Sequence, residues 1–379
     1  MHVLIAPNAF KHALTAQQAA LAIQAGLEAS KLTCTCECFP IGDGGNGTGE
    51  LILDRLGGYS VEVRVDDPLG RPVTASFGLI ADGQTAVIEM AHASGLHLLK
   101  QNELNPLRTN SFGTGQLMKA AMDRGVRKII IGMGGSATVD GGSGILAALG
   151  VRFLDAAGAT ITDLPFGLSR LHSLDCTSMD GRLADCEITV LCDVDNPLLG
   201  KNGAAAVFGP QKGATPEMVG ALEERLRQFA AVVESVTGHN IADFPSGGVA
   251  GGASAGLVGI LNAKLANGID YFLQLTHFDD SLSKSQLVIT GEGSIDSQTL
   301  RGKGPYGVAK SARQMGVPVL GLAGGVPVQI ADELNAYFDG LMPIGNAPTS
   351  LAEALPLTGI NLTRTALQLG NLIAALGIK

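Results

Sequence analysis

Tryptophan is absent from this chain and aromatic residues make up only 4%, so its cores must be built from aliphatic side chains and close backbone packing. Basic runs are missing too. Lysine and arginine number 26 against 35 acidic residues, a net charge of −9, which argues against a nucleic-acid partner or an anionic membrane surface. A bilayer span is also lacking: the uncharged stretch 246–263 holds six glycines along with Ser246, Ser254 and Asn262. The first residues, MHVLIAPNAFKH, have no basic region and no small-residue cleavage site, and read as a strand rather than a signal peptide. A cytoplasmic protein without membrane contact is expected. Cysteines are few, six in all. Cys34, Cys36 and Cys38 alternate on one strand face, and no second cysteine or histidine cluster completes a zinc site. They read as buried reduced thiols.

What is abundant is glycine, 52 residues of 379, in a chain that is 46% apolar with a mean hydropathy of +0.27. That profile fits an α/β protein of about two domains with many backbone-lined loops. The densest glycine segment is 129–148, IIIGMGGSATVDGGSGILAA. A β-branched run comes first, then Gly132, Gly134, Gly135, Ser136, Thr138, Asp140, Gly141, Gly142 and Gly144, and then an alanine-rich stretch that reads as helix. Strand, glycine loop and helix in succession are the local pattern of a phosphate site in α/β proteins. A tight structural βα turn is the alternative, because neither G-x-x-x-x-G-K-[ST] nor a clean G-x-G-x-x-G is present.

The rest of the chain repeats this theme. Residues 2–6 predict a strand, followed by a loop with Lys11 and a helix capped by Thr15. Residues 33–39 predict a second strand leading into PIGDGGNGTG, with Asp43 just past its end. Three alternating runs at 61–65, 73–77 and 86–90 predict an antiparallel meander. CEITVLC at 186–192 predicts a strand ending in Asp193 and Asp195, and a later loop carries Lys212. QLVIT at 286–290 leads to Glu292, Asp296 and Lys303, and strands at 317–323 and 338–344 precede a terminal helix at 362–376. Besides His2 in the first strand, the histidines His12, His92, His97, His172, His239 and His277 are scattered, with no serine–histidine–acid or cysteine–histidine arrangement.

Lys11, Asp43, the 134–140 loop, Asp193 and the 292–303 segment all follow strand ends, so they are expected to gather on one edge of a parallel sheet. Carboxylates for Mg²⁺, lysines for phosphate charge and backbone N–H groups are the parts that phosphoryl transfer needs. The expected division puts 1–57, 105–150 and 260–379 in a doubly wound α/β domain, and 58–104 and 151–259 in a second, mixed α/β domain. Continuous halves are the alternative.

Six co-ordered motifs resemble the bacterial glycerate kinase family that forms 2-phosphoglycerate: APNAFKHALTA, PIGDGGNGT, GMGGSATVDGGSG, CDVDNPLLG, VFGPQKGA and TGEGSIDSQTLRGKGP, spread over residues 6–305. Asn8 and Ala9 stand where that family more often has Asp-Ser, His12 where it has glycine, Asn46 where it has glutamate and Val139 where it has asparagine. The resemblance implies two α/β domains, one flavodoxin-like and one a mixed sheet. It also implies transfer of the ATP γ-phosphate to D-glycerate with Mg²⁺, in a monomer or homodimer. On that reading Gly134, Gly135, Ser136 and Thr138 cradle phosphate, with Asp140 and Lys212 in the same binding set. Lys11 and Lys303 neutralise the transferring group or hold the glycerate carboxylate. Asp193 and Asp296 bind the metal or activate the hydroxyl, and Asp43 and Glu292 come next. A kinase of a related hydroxy acid and a non-catalytic sugar-acid or nucleotide-binding module are the alternatives.

Overall fold

The computed structural model describes residues 1–377. In chain order its strands are β1 (His2–Pro7), β2 (Thr35–Cys38), β3 (Gly58–Asp66), β4 (Pro72–Ile80), β5 (Thr85–Glu89), β6 (Lys128–Gly132), β7 (Arg152–Leu154), β8 (Ser173–Asp175), β9 (Glu187–Cys192), β10 (Lys264–Asn267), β11 (Leu287–Ser294), β12 (Val319–Gly325) and β13 (Gly340–Pro343). The described residues divide into two compact units, 1–43 with the stretch from 267 onward, and 44–266.

The first unit is a parallel five-stranded sheet in the order β13-β12-β11-β1-β2. With its five strands counted along the chain, this is the doubly wound 2-1-3-4-5 order, whose direction of winding reverses between β1 and β11. Val3, Leu4, Ile5, Val288 and Ile289 are wholly buried, as expected where helices cover both faces of a parallel sheet. The helix Ala16–Glu28 is capped as its sequence predicts: the Thr15 hydroxyl accepts from the Gln18 amide, and the Gln18 side chain accepts in return from the Thr15 amide. The helix Thr358–Ala375 lies against it so closely that a Cβ at Gly26 would collide with the Thr363 carbonyl oxygen. Cys34, Cys36 and Cys38 are free thiols packed against this core.

The second unit holds a mixed six-stranded sheet in the order β10-β9-β6-β5-β4-β3 and the small pair β7-β8. The antiparallel meander β3-β4-β5 forms as the alternation predicts, and β5, β6 and β9 then run parallel. This pairing moves the division away from the expected one. β6 and its glycine loop belong with the meander because β5 and β6 share five register positions, from Thr85 opposite Lys128 to Glu89 opposite Gly132. The expected strand ends therefore lie on two sheets rather than one: Lys11, Asp43 and Glu292 on the first, the glycine loop and Asp193 on the second. The stretch 246–263 is not one continuous rod. Its helix Val249–Leu261 is broken at Ala250, Gly251 and Gly252, which have φ of 53°, 69° and 89°. Among the described residues no helix is long and apolar enough to cross a membrane.

Candidate active site

In the second unit the three parallel strands deliver their carboxyl ends side by side. Gly132 is in register with Glu89 on one side and with Leu191 on the other. Beyond these ends come the glycine loop and, past β9, Asp193, which is exposed. The loop itself turns inward. Gly135 is exposed and takes φ +70°, whereas Ser136 to Asp140 are all buried. The Gly134 amide donates to the Gly44 carbonyl at 3.3 Å, and a Cβ at Gly134 would meet the Gly45 Cα at 2.8 Å. The glycines here let backbone pack on backbone, which a side chain would prevent.

Asp140 has no exposed surface. Its Oδ2 accepts from the Ser111 amide at 2.8 Å, the Ser111 hydroxyl at 2.6 Å and the Gly144 amide at 3.3 Å, and its Oδ1 accepts from the Gly142 amide at 3.0 Å. These bonds tie the loop to the start of the helix Ser143–Ala148.

Lys212 is 2% exposed and reaches the loop from inside. Its Nζ donates to Ser136 Oγ at 2.9 Å and to the Thr138 carbonyl at 2.7 Å. Burial pulls its pKa down to about 7, with the nearby Asp140 charge pulling the other way. The Thr138 hydroxyl is buried with no hydrogen-bond partner.

One functional-looking residue escaped the sequence reading. Glu89, buried at the end of β5, accepts from the Gly47 amide at 3.0 Å and the Gly49 amide at 2.7 Å. It thereby covers the start of the helix Thr48–Leu56. The signal was available, since an acid closing an otherwise apolar strand is the feature that marked Asp193. A cavity of about 550 Å³ also lies in this unit, beside Phe112, Gly144 and Phe153, and touches none of the expected site residues.

In the first unit the reversal of winding between β1 and β11 places two loops next to each other, the position where open α/β sheets bind ligands. The Asn8 amide donates to the Gly291 carbonyl at 2.8 Å, and the Asn8 side chain donates to Asp43 Oδ2 at 2.8 Å. Glu292 follows Gly291 and is 8% exposed. Its Oε1 accepts from the Thr299 hydroxyl at 2.9 Å. Burial raises its pKa to about 7, the Asp43 charge adds to the rise, and Lys303, Lys11 and the Thr299 bond oppose it. Lys11 is exposed, and Lys303 stands immediately before the helix Gly304–Gln314. Asp296 Oδ1 accepts from the Gln298 amide at 2.8 Å and so caps the turn that brings Thr299 back to Glu292. His12 holds φ +65°, the left-handed region that glycine adopts without steric cost. Lys11, Asp43, Glu292 and Lys303 are thus gathered here, with Asp296 in the adjoining turn.

Comparison with known proteins gives the class of molecule to which this arrangement belongs. The chain matches the glycerate kinase family over residues 3–374 and belongs to it. It is therefore an enzyme, a phosphotransferase. A glycerate kinase of Bacillus subtilis (strain 168) is 44% identical over 370 residues, covering 97% of this chain and 96% of its own. Glycerate 2-kinase of Escherichia coli (strain K12) is 41% identical over 349 residues, covering 91% and 92%. A crystal structure from Salmonella typhimurium LT2, assigned as a glycerate kinase 2, superposes with a TM-score of 0.86 at 41% identity, covering 100% of this chain and 99% of that one.

Proposed function

We propose that the chain transfers the γ-phosphoryl group of ATP to D-glycerate with Mg²⁺ present, releasing ADP and 2-phospho-D-glycerate, as a cytoplasmic monomer or homodimer. The observation that carries this reading is the cluster at the β1–β11 reversal, where Glu292, Asp43, Lys11 and Lys303 interact electrostatically. Two lysines beside carboxylates suit an anionic hydroxy acid. Phosphoryl transfer asks mainly for such positioning and charge neutralisation. The choice of the 2-hydroxyl is supported by the relative named glycerate 2-kinase.

In this reading Lys11 and Lys303 hold the glycerate carboxylate or neutralise the transferring group. Gly134 and Gly135 are the phosphate-facing part of the glycine loop, and Ser136 and Thr138, which are buried, support it from behind rather than facing the phosphate themselves. Lys212 and Asp140 hold that loop in shape from beneath, Lys212 through Ser136 and Thr138, and Asp140 through Ser111, Gly142 and Gly144. Mg²⁺ keeps several waters and takes one or two carboxylates with substrate phosphates. Among the described residues no group of three or more His, Cys, Asp or Glu is gathered as a preformed cage. The exposed Asp193 and the partly exposed Asp296 fit that sparse pattern, each in its own unit. When bound, the ion supplies charge neutralisation along the phosphates.

The test is ADP release with ATP, Mg²⁺ and D-glycerate, with the product identified by phosphorus NMR. Glycerate-dependent release with phosphate on carbon 2 is the expected outcome. Phosphate on carbon 3 overturns the regiochemistry, and turnover only with a larger hydroxy acid overturns the substrate.

A further inference from the structure

Transfer of a phosphoryl group to a hydroxyl requires a group that receives the hydroxyl proton. We propose, resting on the kinase reading of this site, that Glu292 is the catalytic residue that takes this proton. Four observations single it out from the other carboxylates. It sits one residue past Gly291, the β11 partner of Pro7 at the end of β1, so it lies at the winding reversal itself. It is largely withdrawn from water, whereas Asp193 is exposed and Asp296 partly so. Its Oε1 accepts from the Thr299 hydroxyl, which fixes the carboxylate, and among the described residues that is its one side-chain hydrogen bond. Finally, Asp296 and Asp43 already serve local structure, Asp296 in capping its turn and Asp43 in receiving Asn8.

Among the described residues the groups that act on Glu292 come from three segments: Lys11 after β1, Asp43 after β2, and Thr299 and Lys303 beyond β11. The lysines favour its charged form and Asp43 the neutral one, and burial favours the neutral form most. The outcome is a pKa of about 7, the range in which a carboxylate can accept a proton at neutral pH and release it again. In the reaction the hydroxyl oxygen forms its bond to the γ-phosphorus while the bond from that phosphorus to the bridging oxygen of ADP breaks. ADP leaves with the electron pair, the hydroxyl proton passes to Glu292, and Glu292 returns it to solvent after product departs.

The test compares the wild type with Glu292→Gln and two Thr299 variants. A positioned general base contributes about 10²–10⁴-fold, so E292Q is expected to lose at least about 100-fold in kcat with a small change in KM for the hydroxy acid. The wild-type kcat/KM profile is expected to fall below pH about 7, and the residual activity of E292Q to lack that fall. Thr299→Val removes the donor that favours the carboxylate and moves the fall to higher pH, whereas Thr299→Ser keeps it in place. Retention of near-full rate by E292Q, or an acidic fall unchanged in E292Q, overturns the proposal. A second readout needs no turnover: the Glu292 side-chain carboxyl, followed by carbon NMR in the wild type, is expected to titrate near 7, and a midpoint in the ordinary carboxylate range overturns the assignment. Failure of the substrate reading looks different, because the wild type itself then shows no glycerate-dependent ADP release.

Discussion

Lys212 Nζ donates to the Thr138 carbonyl oxygen at 2.7 Å from a position that is 2% exposed. The lysine of VFGPQKGA, expected in the phosphate-binding set, braces the glycine loop from inside.

Removing that strut should loosen the loop. Lys212→Met leaves the Thr138 carbonyl without its partner and Ser136 Oγ without a donor. An unpaired buried acceptor costs about 1–3 kcal/mol. Loop order, and with it kcat/KM, is expected to drop at least about tenfold. Lys212→Arg should not rescue, because the larger planar guanidinium does not fit a buried ammonium site. Full activity in K212M would sink the strut assignment. The pH dependence of stability gives an independent check. The folded pKa is lowered from 10.5 to about 7, so the unfolded chain binds more protons between those values. Wild-type stability relative to K212M should therefore rise from pH 7 to 10.5 and lie flat below 7, as read by urea denaturation.

Asp140 is expected to behave as a structural residue. Three donors converge on Oδ2 and one on Oδ1, and an asparagine amide would point its own hydrogens at some of them. Asp140→Asn should cost about 2–5 kcal/mol of unfolding free energy. A D140N variant with wild-type stability and impaired turnover would instead make it a ligand residue.

Asp193 and Asp296 should show the opposite behaviour. Asp193 is exposed, and asparagine can replace Asp296 in accepting from the Gln298 amide. Asp193→Asn and Asp296→Asn are expected to leave the melting curve near that of the wild type and to cut kcat by several tenfold steps. Calorimetry paired with steady-state kinetics separates the two effects, and near-full rate in either variant removes that residue from the reaction.

Glu292 should also be visible in stability. Its folded pKa is raised from 4.5 to about 7, so its contribution is fully present below about 4.5 and lost as pH rises through about 7. Between those values the wild type should lose roughly 3 kcal/mol relative to E292Q, at about 1.4 kcal/mol per pH unit. A pH-independent difference between the two proteins would show that Glu292 is not held in a raised state.

Local pattern alone determined a good deal of this protein. The Thr15 cap, the strand–glycine–helix segment around Gly134 and the alternation of the meander depend on residues near one another in the chain, so they are legible in one dimension. The placement of Lys11, Asp43 and Asp193 after strand ends was legible for the same reason, whereas Glu292, expected after the strand, lies within β11, which runs on to Ser294. Tertiary structure alone decided how these pieces are shared out. The pairing of β5 with β6 joins Thr85 to Lys128, and the pairing of β1 with β11 joins Val3 to Leu287. No local preference encodes such partners, and they put the expected site residues on two sheets. Burial was decided in the same way. Asp140 and Lys212 carry charges that a reading of the sequence assigns to solvent or ligand, yet hydrogen bonds from Ser111 and to Thr138 make their burial tolerable. A charged side chain can be withdrawn from water only where distant backbone and hydroxyl groups replace that water. Which groups those are is settled when the chain closes on itself.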